Sequence, residues 1–217
     1  MILNWGKILW VLGALLFFLS GCNELTEKKI PKELTAQEIY LQAEQKLKEN
    51  LNAEADGLYA KVERLYPYSD WAKKSLLMSA VANHQGAFYD ESRADAERYL
   101  DFYPADTNAA YAQYLIALSY YDQIDNVSRD QSVTFKALQA FRTVIERYPD
   151  SEYTSPSLLK FDLSLDHLAG AEMEIGRYYL KRGHFGAAIS RFRVVVEEFE
   201  TTSHTPEALH RLVESYL

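Results

Sequence analysis

The chain has one cysteine, Cys22, and few helix-breaking residues, with nine glycines and six prolines in 217 residues. A single cysteine cannot form an internal disulfide, so cross-links add nothing to the stability of the fold. No low-complexity linker divides the chain, and strand patterns are lacking because apolar residues recur at intervals of three and four. These absences predict an all-α chain that is stabilised by the burial of apolar surface.

Positive charge is also scarce, with 23 Lys and Arg residues against 31 Asp and Glu residues and a net charge of −8. Without residues 1–21, which contain Lys7 as their only charged residue, the net charge is −9. Nucleic-acid binding requires an excess of basic residues on the binding surface. The composition therefore excludes a nucleic-acid partner.

An apolar run of twelve residues, Ile8–Leu19, lies near the start of the chain. As a helix it would be about 18 Å long, too short for a hydrocarbon core of about 30 Å. Lys7 precedes the run, and the small residues Ser20 and Gly21 follow it. This order is typical of a secretory signal peptide, which we predict at residues 1–21.

The signal ends in Leu-Ser-Gly-Cys, which resembles the lipobox of bacterial lipoproteins. In that class the cysteine becomes the first mature residue and carries the acyl chains, so we predict that Cys22 is the lipid anchor. The next residue is Asn23 rather than the Asp that favours inner-membrane retention. The resemblance implies the periplasmic face of the outer membrane, with the polar residues 22–34 as a lipidated tether.

A Tyr-Pro pair recurs at Tyr66, Tyr103 and Tyr148, and Phe199 stands at a fourth position without the proline. A small, a large and a medium residue precede the proline position by twelve, eight and five residues, a spacing that places them on one helical face. The second copy is weaker, with small and large residues exchanged. The fourth copy extends to the tetratricopeptide pattern of two helices in about 34 residues. The triplets are Ala55, Tyr59 and Val62; Ser92, Ala96 and Tyr99; Ala137, Phe141 and Val144; and Ala188, Phe192 and Val195.

We therefore predict a tetratricopeptide-repeat solenoid of antiparallel helix pairs, with four full repeats and the start of a fifth. Each proline ends a second helix, and Ser69, Asp106 and Ser151 are predicted to cap the helices that follow. Because the pattern stops in mid-repeat at Leu217, we expect the sequence to be truncated there. The predicted helices are 35–49, 52–66, 70–86, 90–103, 107–124, 132–148, 152–182, 185–199 and one from about 205.

Stacked first helices of such repeats line a concave groove that receives peptides. The pattern places ten residues of the first two repeats in this groove. An alternative is that Tyr40 and Val81 pack between helices while Lys48 and Lys74 are solvated. The ten residues are Gln37, Tyr40, Glu44, Leu47, Lys48, Lys74, Leu77, Val81, His84 and Gln85.

Motifs of catalysis are missing, since no Gly-rich phosphate loop, nucleophile elbow or His-Glu zinc motif occurs. Glu207 and His210 have the three-residue spacing of carboxylate-bridged metal bundles, but no second Glu-x-x-His completes such a site. A lipid-anchored metal hydrolase is thus an alternative that rests on two residues. We predict no enzymatic activity, no metal site and no cofactor.

Two stretches of the C-terminal half, FRTVIERYPDSEY (Phe141–Tyr153) and LAGAEMEIGRYYLKRGHFGAAISR (Leu168–Arg191), resemble the BamD (ComL) family of outer-membrane assembly lipoproteins. The likeness covers nearly the whole mature chain once the lipobox and the Tyr-Pro units are included. It implies a non-catalytic subunit of the β-barrel assembly machine. The implied partners are the periplasmic domains of BamA, other Bam lipoproteins and unfolded β-barrel precursors.

The resemblance also assigns a binding function to each half of the repeat region. Residues 35–125 would bind precursors in the groove, and residues 126–217 would bind BamA. Arg191 matches a family arginine at the BamA contact, although it could equally be an ordinary exposed arginine. A different periplasmic helical-repeat lipoprotein scaffold, for example one for peptidoglycan enzymes, is the alternative function.

Overall fold

A computed structural model describes residues 33–217, which form nine helices and no strand. The predicted all-α repeat fold is confirmed, and every predicted helix lies within three residues of an observed one. The signal peptide, Cys22 and all but the last two residues of the predicted tether lie outside the described residues. The helices are α1 (Ala36–Lys48), α2 (Asn52–Leu65), α3 (Asp70–Gln85), α4 (Tyr89–Phe102), α5 (Ala109–Tyr121), α6 (Ser132–Arg147), α7 (Thr154–Lys181), α8 (Phe185–Glu198) and α9 (Thr205–Tyr216).

Consecutive helices pack as antiparallel neighbours within the compact unit Thr35–Leu217. The pairing of Lys46 Nζ with Glu54 Oε2 at 2.8 Å joins the end of α1 to the start of α2. The first helices α1, α3, α5 and α7 also contact one another in that order. They form an inner layer, as expected for stacked helix pairs.

The four triplets of the sequence pattern are buried where helices cross. Their small, large and medium members are all at most 1 % exposed, including the divergent copy Ser92, Ala96 and Tyr99. Small residues allow close approach of two helices, and the large ring fills the space beside them. The repeat read from the sequence is therefore the core of the fold.

The helix starts agree only in part with the predicted caps. Ser69 caps α3 by accepting from the backbone N–H of Ala72 at 3.1 Å, as predicted. The prediction was wrong for Asp106, because Asn108 is the cap position of α5. Asp106 instead accepts from the N–H of Asn108 within the preceding turn. It was also wrong for Ser151, because Tyr153 occupies the cap position of α7.

Helix α7 has 28 residues and takes part in two pairs. Its first half packs beside α5 and α6, where Phe161 contacts the large core cluster. Its second half pairs with α8, where Gly176 faces the ring of Phe192. Pro156 lies in the first turn of α7, where its missing N–H costs little.

Within residues 33–217, no helix combines the length and the apolarity that crossing a bilayer would require.

Candidate protein-interaction surfaces

The structure separates the ten predicted groove residues into buried, half-buried and exposed groups. Tyr40 and Val81 are each only 8 % exposed, as the alternative interpretation expects, and Leu77 is also buried. Glu44, Leu47 and His84 are half-buried, and the remaining four, Gln37, Lys48, Lys74 and Gln85, are exposed. The accessible surface of α1 and α3 is therefore more polar than the sequence suggests.

Tyr40 packs α1 against the neighbouring helices α2 and α3. Its ring centroid lies 5.5 Å from that of Tyr59 in α2 and 4.9 Å from that of Trp71 in α3. Burial, together with the nearby carboxylate of Glu44, raises the pKa of Tyr40 to about 12. The phenol remains neutral at physiological pH, and the side chain acts in packing.

The exposed Lys74 and the half-buried His84 form the rim of this region. Lys74 places its ammonium 4.7 Å from the centroid of Trp71, a cation–π contact. His84 Nε2 lies 3.1 Å from Asp122 Oδ2, which joins the end of α3 to the end of α5. The half-exposed apolar side chain of Leu41 lies one helical turn from Gln37 on the accessible side of α1.

Helix α5 carries an aromatic surface that the sequence interpretation missed. Tyr111, Tyr114 and Tyr121 are half-buried at intervals of three and seven residues, and Tyr153 joins them from the start of α7. The ring centroid of Tyr153 lies 5.2 Å from that of Tyr111 and 5.3 Å from that of Tyr114. We call Tyr111, Tyr114 and Tyr153 the concave aromatic cluster, because the ring of Tyr121 packs instead against Phe141 at 5.8 Å.

Burial raises the pKa of Tyr111, Tyr114 and Tyr153 above the ordinary value, so their hydroxyl groups stay protonated. Half-buried tyrosines offer a ring face for apolar contact and a hydroxyl for hydrogen bonding. The cluster can therefore hold an aromatic or aliphatic side chain of a bound peptide. The spacing of the tyrosines in YAQYLIALSYY is the sequence signal that could have located it.

Arg191 lies on α8 and pairs with Glu172 on α7. Its Nη1 donates to Oε1 at 3.3 Å and to Oε2 at 3.0 Å, while 43 % of the side chain stays exposed. A guanidinium has five donors, so Arg191 retains donors for a carboxylate on another protein.

A cleft of about 400 Å³ opens beside this pair, between the α5–α6 connection and the second half of α7. Ile175 and Tyr178 expose 38 % and 51 % of their surface there. Arg182 lies 4.4 Å from the centre of the Tyr178 ring. An apolar floor next to a half-free arginine is suited to protein docking.

One of the two residues behind the hydrolase alternative, Glu207, is engaged in ion pairs. Glu207 accepts from Arg177 at 3.1 Å and from Arg211 at 3.4 Å, so two cations occupy its carboxylate. His210 is exposed. Over residues 33–217, no three potential ligand side chains gather in a way that could hold a metal ion.

Comparison with known proteins identifies the family of this chain. The profile of the family YfiO, described as outer membrane lipoprotein, matches residues 32–217. A protein of Caulobacter vibrioides named outer membrane protein assembly factor BamD is 44% identical over 200 residues, which are 91% of this chain and 66% of that protein.

Two further relatives carry the same name. The Rickettsia prowazekii protein is 43% identical over 159 residues, covering 73% of this chain and 63% of the relative. The Neisseria gonorrhoeae protein is 28% identical over 200 residues, covering 88% and 75%. The chain spans just under two thirds of the length of the first two relatives. It belongs to the YfiO family of outer membrane lipoproteins, the BamD family that its repeats resemble.

Proposed function

We propose that this chain is a non-catalytic lipoprotein subunit of the β-barrel assembly machine. In this role it scaffolds BamA, meets other Bam lipoproteins and helps to recognise and insert unfolded β-barrel precursors. The proposal is supported by family membership and by relatives that are named assembly factors rather than enzymes. Cys22 would anchor it to the outer membrane on the periplasmic face.

The concave aromatic cluster is the observation that carries the receptor part of the proposal. A barrel strand alternates apolar and polar residues, with aromatic residues near the membrane interfaces. An extended peptide of this kind binds through alternate side chains that enter apolar sites. Tyr111, Tyr114 and Tyr153 supply a stacking surface, and the exposed rim around Lys74 and His84 supplies polar partners.

Arg191 is the residue that supports the scaffold part of the proposal, the binding of BamA. The family resemblance assigns this arginine to the BamA contact, and its half-exposed guanidinium suits a bidentate bond to a partner carboxylate. The neighbouring cleft with Ile175 and Tyr178 would add apolar contact. The proposed precursor and BamA surfaces thus lie on different parts of the array.

Photo-crosslinking tests the receptor part. A photoreactive residue at His84 or Leu118, both half-buried on inner-layer helices, should label a synthetic peptide of a barrel C-terminal strand. The same residue at Phe135 or Gln139, exposed on the second helix α6, is the matched control. Labelling should fall when the terminal aromatic residue of the peptide is replaced by serine. Equal labelling from α6 would overturn the proposed groove.

Co-purification tests the scaffold part. The full chain, extracted gently from the outer membrane, should bring down BamA and release it when Arg191 is changed to glutamate. Recovery of peptidoglycan amidases or transglycosylases in place of BamA would favour the alternative scaffold function.

A further inference from the structure

Three apolar side chains are unusually exposed at the turns that follow the second helices. Leu65 at the end of α2 is 50 % exposed, Tyr68 in the next turn is 102 % exposed, and Phe102 at the end of α4 is 65 % exposed. Single exposed apolar residues need no explanation. The exposure of these three side chains does need an explanation, because they lie close together on one surface.

The two turns are neighbours on one edge of the array. Lys73, in the first turn of α3, places Nζ 2.8 Å from Asp106 Oδ2 and 5.8 Å from the centre of the Tyr103 ring. This contact joins the start of α3, which follows the first turn, to the second turn. We call the surface formed by residues 65–69 and 102–106 the Tyr-Pro edge.

The preceding chain joins the array at the same edge. Thr35 caps α1, and the ring of Tyr40 in the first half of α1 packs against that of Trp71 at the start of α3. Cys22 lies thirteen residues before Thr35, so even a fully extended connection reaches at most about 45 Å. The opposite edge, where α1 and α3 end, lies about 20 Å farther along the helices.

We propose that the Tyr-Pro edge rests on the membrane surface, with Leu65, Tyr68 and Phe102 inserted into the interfacial region of the bilayer. This inference rests on the proposed lipid anchor at Cys22. Aromatic side chains prefer the headgroup level of a bilayer, and an apolar surface contact orients a protein that acyl chains already hold.

The charges around this edge specify the lipid. Two exposed acidic residues, Asp70 and Asp101, flank the turns, and two exposed basic residues, Arg64 and Lys74, balance them. Attraction to anionic lipid requires a cluster of basic residues at the membrane surface, and this edge has no such excess. A zwitterionic bilayer is therefore the expected surface, and apolar insertion is the attractive contact.

The third turn on this side limits the contact to the N-terminal part of the array. The ring of Tyr153 contacts that of Tyr111 near the start of α5, which places the turn 148–153 beside the second turn. That turn exposes Pro149, Asp150 and Glu152 and no large apolar side chain. The membrane contact is thus concentrated close to the anchored end of the chain.

Site-specific fluorescence tests the proposal in the full lipidated protein. Acylation of the only cysteine leaves an introduced cysteine as the unique thiol. Arg64→Cys, directly before Leu65, and Ala105→Cys place a fluorophore at the Tyr-Pro edge. Glu49→Cys and Gln85→Cys place it at the opposite edge, and all four positions are exposed. The protein is bound to phosphatidylcholine vesicles that contain brominated lipid, which quenches a fluorophore at the membrane.

Quenching at the two edge positions should be about twice that at the opposite edge, because interfacial side chains insert only about 5–10 Å. The triple change Leu65→Ser, Tyr68→Ser and Phe102→Ser should abolish the difference, whereas Phe135→Ser, a similarly exposed aromatic on α6, should leave it intact. Equal quenching at both edges would overturn the inference. Vesicle flotation distinguishes failure of the edge contact from failure of the lipid anchor. A protein that floats but shows no difference in quenching between the edges has the anchor without the edge contact. A protein that does not float lacks the anchor.

Discussion

Arg191 on α8 and Glu172 on α7 form a two-bond contact, with Nη1 within 3.3 Å of one carboxylate oxygen and 3.0 Å of the other. The pair is half-exposed, so its contribution to folding is small, about 0–1 kcal/mol. We therefore predict that Arg191→Ala lowers BamA affinity about tenfold or more and hardly changes the free energy of unfolding. Calorimetric titration with the BamA periplasmic domains and urea denaturation provide the two measurements.

Arg193→Ala is the matched control, because Arg193 is an exposed arginine on the same helix that contacts Glu197 and Tyr216. It should leave BamA affinity unchanged. If both variants bind BamA like the parent, Arg191 is an ordinary surface arginine.

Asp106 should support stability at neutral pH and lose that role in acid. It accepts from Lys73 Nζ at 2.8 Å, from the Tyr99 hydroxyl at 2.7 Å and from the N–H of Asn108 at 2.8 Å. These donors, the Lys73 ammonium first, hold its pKa well below the ordinary value. The stabilisation is present above the unfolded-state pKa of about 3.9 and disappears as the pH falls from there through the folded-state pKa.

Asp106→Asn should therefore cost about 1–2 kcal/mol at pH 7, since hydrogen bonds to a charged group are lost. The difference from the parent should shrink in acid, below about pH 4. Urea denaturation across this pH range measures it, with the exposed Asp101→Asn as control. A cost that is constant with pH would contradict the proposed ionised contact.

Asp95 should show the opposite pH dependence. Asn83 Nδ2 donates to Asp95 at 3.0 Å and to Asp56 at 3.2 Å. Burial raises the pKa of Asp95 although Arg98 opposes it, and burial also raises the pKa of the neighbouring Glu63. The ionised form is therefore costly in the folded state, and the cost is relieved as the pH falls through the folded-state pKa toward the unfolded-state pKa.

Compared with Asp95→Asn, the parent protein should gain stability on going from pH 7 to about pH 4, close to the ordinary aspartate pKa. Unfolding free energies at both pH values test the sign. Glu97→Gln, at an exposed position on the same helix, should show no such change. A parent that loses stability relative to Asp95→Asn over this range would refute the assignment.

Two glycine substitutions should act in opposite directions. Gly57 lies within α2 with open space where a Cβ would stand, so Gly57→Ala should stabilise the fold by about 1 kcal/mol. A Cβ at Gly176 would collide with the fully buried ring of Phe192, so Gly176→Ala should destabilise it by about 1–3 kcal/mol. Thermal unfolding of both variants measures the effects. Adding Phe192→Leu to Gly176→Ala should recover part of the loss, and two losses of equal size would contradict the packing argument.

The sequence was sufficient to predict the helices and their crossings, because both follow from local periodicity. Ala137, Phe141 and Val144 repeat at fixed distances from Pro149, and all three have no exposed surface. The burial of the predicted groove residues was harder to foresee, because a spacing defines a helical face but not how far the next helix covers it. Tyr40 belongs to the predicted face, yet it packs against Tyr59 of α2 and Trp71 of α3. Val81 likewise belongs to the large core cluster.

The spacing of Tyr111 and Tyr114 is visible in the sequence, but their contact with Tyr153 is not, because Tyr153 reaches them only after α6 reverses the chain. Asp106 was assigned to a cap on local grounds, but its partners Lys73 and Tyr99 come from two other helices. Contacts of this kind depend on tertiary packing.

Helix α7 runs without interruption for 28 residues, about 42 Å. Phe161 near one end packs with the helices that carry the tyrosines, and Glu172 farther along holds Arg191. A stiff rod with no joint keeps a constant spacing between the two regions. A precursor bound near the tyrosines would therefore keep the same distance and orientation relative to a partner protein bound near Arg191.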